Sequence, residues 1–176
     1  MKKNAVLLAT IFLILYSAEL FSQTSLVKEK AIYIYNLARE VAWPAESKNG
    51  DFVISCYGSG ELFKKLSDYT SGKSITGQHI VLNKIASIDE ITKCHILFVS
   101  YEKAGELPSI LSRTANNKTL IITDKREGIL DGASISLVVI NGMLQYEIST
   151  ENIKKMGLKY TQNLVDLAHD IPLTRR

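Results

Sequence analysis

Two cysteines, three histidines and no dense run of like charge leave this 176-residue sequence short of the side chains that most often carry chemistry. His79, His95 and His169 fall in separate segments without the short spacings of metal sites, and no carboxylate pair joins them at helical spacing. Neither a metal nor a cofactor is therefore expected. Cys94 and His95 are adjacent at the start of a strand-like run, where consecutive side chains point to opposite faces, so they cannot pair as nucleophile and base. With no other such pair in the chain, no catalytic residue is expected and the sequence does not read as an enzyme. The lysines and arginines are scattered, without interleaved aromatics, and the net charge is only +3, which excludes the electrostatic footprint of a nucleic-acid binder. Internal repeats, linkers and low-complexity stretches are also missing, so residues 23–176 read as one domain.

The chain does contain one long apolar run. Lys2 and Lys3 precede Ala5 to Tyr16, and small and polar residues follow up to Gln23. That order predicts a secretory signal peptide over residues 1–22, cleaved after Ser22. The run is shorter than the roughly 20 residues of a bilayer-spanning helix, and no cysteine follows it to accept a lipid. A soluble exported protein is expected, and part of the positive charge belongs to the export signal.

From Leu26 to Ala42, residues Val27, Ala31, Ile34, Ala38 and Val41 recur at spacings of four and three, one face of a helix that Trp43-Pro44 ends. Its other side carries Ile32, Tyr33, Tyr35 and Leu37, more apolar surface than one contact face needs. Another helix of the same chain could cover it, with the stripe of a final helix over Thr161–His169 as the candidate. Alternatively Tyr33, Tyr35, Asn36 and Trp43 form a dimer or partner surface. Strand-like runs at Phe52–Tyr57, His79–Leu82, His95–Ser100 and Thr119–Thr123 alternate with helical patterns at 61–69, 88–91 and 102–114. Such alternation predicts a three-layer α/β domain, a mostly parallel sheet with helices on both faces. Ala133–Ile140 and Met143–Ile148 flank Asn141-Gly142, a type I′ turn signal, and predict a C-terminal antiparallel hairpin.

Weaker motifs resolve into turns. Gly72-Lys73-Ser74 ends like a phosphate-binding loop, but Ser67 stands at the first glycine position and a helix precedes it. Gly58-x-Gly60 follows a strand, yet Phe63 occupies the third glycine position of a dinucleotide fingerprint. A ligand edge formed by Gly58, Gly60, Ser100 and Asp124, at the strands' C-terminal ends, remains a second candidate site. Cys56 and Cys94 are either a disulfide, as export would allow, or two buried thiols filling space. Cys56 lies late in its strand and Cys94 begins another, which opposes the bond if the strands are adjacent and parallel.

Taken together, several segments resemble the YfiR family. They are Lys30 to Ala38 leading to Trp43-Pro44, Gly58 after a strand, Gly77-x-x-Ile80-Val81, Cys94 to Ser100, and Tyr146-Glu147-Ile148 before Gly157-Leu158. The resemblance implies a periplasmic α/β domain that represses a membrane-bound diguanylate cyclase by binding its periplasmic sensor part. It also implies relief by an outer-membrane lipoprotein, and dimerisation. Relatives beside sensor kinases make a kinase a second partner class, and a small-ligand sensor module feeding a kinase or cyclase is the alternative role. Two departures stand out: Thr161-Gln162 where many relatives carry two serines, and a strand cysteine shifted by one residue, which reverses its face.

Overall fold

Short β-branched runs separated by glycine and helical segments can bury themselves only as strands of a covered sheet, and the computed structural model, which describes residues 25–169, has that form. The export segment expected over 1–22 lies outside the described residues. Helix α1 covers 25–40, followed by β1 (Val41–Ala42), β2 (Phe52–Tyr57), α2 (Gly60–Thr70), β3 (Ser74–Ile75) and β4 (Gln78–Ile85). Next come β5 (Ile96–Val99), α3 (Leu107–Thr114), β6 (Leu120–Thr123), β7 (Ile135–Ile140), β8 (Met143–Ile148), α4 (Thr150–Lys155), β9 (Lys159–Tyr160) and α5 (Gln162–Asp166).

The curled main sheet has the order β3-β4-β2-β5-β6-β7-β8. Strands β4, β2, β5, β6 and β7 run parallel, and β3 and β8 are antiparallel at the two ends. β5 and β6 are buried at every position, as central strands covered on both faces must be. Crossovers from β2 to β4 and from β5 to β6 run in opposite directions, so right-handedness puts α2 and α3 on opposite faces. The α/β class with a C-terminal hairpin is thus present. Asn141 and Gly142, with φ of 52° and 79°, make the turn that pairs Ile140 with Met143.

Two boundaries differ from expectation. The first helix stops at residue 40, because Val41 and Ala42 pair with Tyr160 and Lys159 in a separate two-stranded ladder, and Thr161 N–H caps the Glu40 carbonyl at 2.9 Å. The last helix is only Gln162–Asp166: Thr161 is its cap, with its hydroxyl accepting the Leu164 N–H, and Leu167 ends it two residues before His169.

Candidate functional site

The buried stripe of α1, Ala31, Ile34 and Ala38, lies in the main core. Its surplus apolar residues are covered from both flanks by the chain itself. Tyr33 donates its hydroxyl to Leu144 O at 2.8 Å and meets Tyr146 edge-on at 6.3 Å. Tyr35 meets Tyr69 edge-on at 5.7 Å and donates to Ser74 O. Trp43 is 6% exposed: its ring stands edge-on to Phe52 at 5.0 Å and its Nε1 donates to Lys118 O at 3.0 Å. This burial commits Trp43 to the fold and leaves little of it for a partner. Tyr33 and Tyr35 are largely committed as well, and of the four residues only Asn36 is exposed.

What does remain open is a groove of ≈ 380 Å³ between α1, β8 and α5, where Leu37, Leu164 and Leu167 stand with Tyr33, Tyr146 and the polar Asn36, Glu40 and Asn163. Leu167 projects beside it at 67% exposure. The final helix therefore adjoins α1, as its stripe suggested, without closing the space between them.

The second candidate, the strands' C-terminal edge, is partly filled from within. Gly58 and Ser100 end the adjacent strands β2 and β5 and pack so closely that a Cβ at Gly58 would collide with Ser100 Oγ. Asp124 is held by Lys30 of α1 at 2.6 Å, both side chains 16% exposed, and accepts the Tyr101 N–H. This pair bolts α1 to the sheet edge. Lys30 stands on the apolar side of α1 between Val27 and Ile34, the one sequence signal that could have revealed it.

A family model described as YfiR/HmsC-like matches residues 28–169, from α1 through the last described residue. The chain belongs to the YfiR/HmsC-like family. No curated protein matches the chain. A solved ABC domain from Streptococcus pneumonia, in complex with L-Trp, is similar at a TM-score of 0.50 and 12% identity, covering 66% of this chain and 53% of that one. The chain thus spans about half the length of that structure, and the likeness is one of fold alone. No helix among the described residues is long and apolar enough to cross a membrane.

In this YfiR/HmsC-like domain Cys56 and Cys94 are buried thiols with no bond between them, the arrangement of two space-filling side chains. In the register, Cys56 lies opposite Phe98, and Cys94 precedes the first paired residue of β5, Ile96, so the two cysteines are not cross-strand partners. Burial pushes Cys56 up to about 12 and Cys94 to about 11, so neither forms a thiolate near neutrality. A thiol reagent is expected to label neither cysteine in the folded protein and both after denaturation without reductant; labelling of neither after denaturation would reveal a disulfide.

His95 has a structural task that the sequence did not announce. Its Nδ1 accepts the Val53 N–H at 3.0 Å, so the network assigns the proton to Nε2, which donates to Ser47 O at 2.7 Å. Burial lowers its pKa, consistent with a neutral ring stacked on Phe52 at 4.4 Å. The adjoining cleft of ≈ 310 Å³ includes Glu46, Asp51, Lys93 and Lys118 in its walls, and no group of three or more metal-ligating side chains occurs among the described residues.

Glu147 was also missed. It sits on β8 at 2% exposure, opposite Ser136, and accepts the Glu127 N–H at 2.7 Å. Desolvation raises its pKa above the unfolded value, against the opposing pull of that N–H and of Arg126. A raised carboxyl pKa means that the folded state holds the proton more tightly. The associated stability is present below the unfolded carboxyl range and is lost as pH rises through the folded value. Glu147→Gln keeps an acceptor for Glu127 and avoids the buried charge. Thermal denaturation is expected to show this variant more stable than the parent at about pH 7 and equal to it at about pH 4.

Proposed function

We propose that this chain is a periplasmic regulatory binding protein that inhibits an inner-membrane diguanylate cyclase by protein–protein contact. The observation that carries the reading is the family match over residues 28–169. The open groove beside α1 supports it, because leucines and tyrosines ringed by Asn36, Glu40 and Asn163, with Leu167 protruding, have the make-up of a binding surface with an apolar centre and a polar rim. In this reading residues 1–22 are the cleaved export signal, the groove receives the cyclase's periplasmic part, and an outer-membrane lipoprotein and a second copy of the chain are further partners.

Inhibition by binding alone has a simple requirement. The regulator must prefer the inactive state of the cyclase, and each tenfold of preference corresponds to about 1.4 kcal/mol. A 100-fold preference, about 2.8 kcal/mol, suffices to hold a population that is evenly poised almost wholly inactive. Deleting the gene is expected to raise cellular cyclic di-GMP, and plasmid-borne wild-type chain to restore it. Unchanged cyclic di-GMP in the deletion strain would contradict the reading.

A further inference from the structure

The mouth of the sheet at Gly58 to Glu61 contains donors that the chain itself does not use. β2 connects outward to β4 on one side, while the chain returns to β5 on its other side, so the carboxyl ends of β2 and β5 form the switch point where open α/β sheets hold ligands. Helix α2, eleven residues long, starts directly there. Of its first N–H groups, Leu62's is taken by Ser59 Oγ at 3.2 Å and Phe63's by Ser59 O, leaving those of Gly60 and Glu61 without an acceptor among the described residues. An N-terminus alone would mean little, since water satisfies most of them.

Two independent observations single this one out. Ser100 is 4% exposed, its Oγ has no hydrogen-bond partner among the described residues, and it points at Gly58, where only the missing side chain makes room for it. An unpaired buried hydroxyl is destabilising, a loss that a bound acceptor would recover. The second observation is charge. Lys84 Nζ would lie 3.5 Å from a Cβ at Gly60, over the same turn, and forms no ion pair among the described residues. Lys103 crosses Gly58 only with its methylene stem, Cγ 2.9 Å from a Cβ there, and its charge is taken up by Glu106, so Lys84 is the free cation of the turn among the described residues. The nearby carboxylates do not cancel this: Glu106 is engaged by Lys103 and by the Tyr57 hydroxyl at 2.7 Å, Asp124 is engaged by Lys30, and Glu61 is exposed on the helix's first turn.

We infer that the β2/β5 switch point binds a small free oxyanion, a phosphate or carboxylate group, through the Gly60 and Glu61 amides, the Ser100 hydroxyl and Lys84. Gly58, at φ +104°, is the residue that lets the backbone approach both Ser100 and the anion. The site lies away from the α1 groove and does not depend on the regulatory reading.

The test is a titration of the isotopically labelled exported chain with inorganic phosphate at constant ionic strength, read by amide NMR. The Gly60 and Glu61 signals are expected to shift and saturate. Ser100→Ala should raise the half-saturation concentration about tenfold, the loss of one charge-assisted hydrogen bond. Lys84→Gln, at an exposed position, should raise it about threefold. Unchanged half-saturation in Ser100→Ala would overturn the proposal. So would shifts that never saturate, or binding to phosphatidylglycerol vesicles with no response to free phosphate.

Discussion

Trp43→Ala is expected to destabilise the protein by about 3–5 kcal/mol, the range for removing a buried aromatic ring. Three effects coincide at this position. The truncation opens a cavity against Phe52 and His95, removes the donor that satisfies Lys118 O, and loosens the segment that leads from α1 to the sheet. Against a usual stability of about 5–15 kcal/mol, that loss lowers the thermal midpoint by about 10 °C or more. Trp43→Phe keeps most of the ring contact and loses the hydrogen bond, so its cost should fall well below that of alanine. A midpoint for Trp43→Ala within about 2 °C of wild type would mean that the ring is not packed as described.

Leu167→Asp should have the opposite profile, with folding intact and regulation lost. At 67% exposure the leucine contributes little to the core, so the stability change is expected within about 0.5 kcal/mol. In the proposed role, where this groove receives a partner, the same change puts a charge against apolar surface. A buried charge against an apolar partner face is expected to cost about 2 kcal/mol or more, about 30-fold in affinity. A deletion strain complemented with Leu167→Asp should therefore keep the elevated cyclic di-GMP of the deletion itself. Asn36→Arg, across the same groove, should behave alike. Full restoration by both variants would move the partner surface elsewhere on the molecule.

The contrast between these two residues shows what could be read from the sequence. Strand–helix alternation and Asn141-Gly142 specify the sheet and its hairpin, because period and turn chemistry are local properties. The apolar excess of α1 was legible too, but not what covers it. Tyr33 and Tyr35 find partners on Leu144, Tyr146 and Tyr69, which are distant in sequence, and Trp43 is taken inside by Phe52, His95 and Lys118. The first helix ends early for a similar reason, since the β1–β9 ladder joins residues more than a hundred positions apart. Pairing of Lys30 with Asp124, the buried Glu147 carboxylate and the unpartnered Ser100 hydroxyl all depend on tertiary placement that no periodicity encodes.

The groove makes the sharpest demand on the proposed role. Photo-crosslinking groups placed at Asn36 and at Leu167 in living cells, followed by identification of the attached protein, measure directly what that face touches. The expected product is a one-to-one adduct with the periplasmic part of an inner-membrane diguanylate cyclase. Adducts with no such cyclase, from both positions, would contradict regulation through this groove.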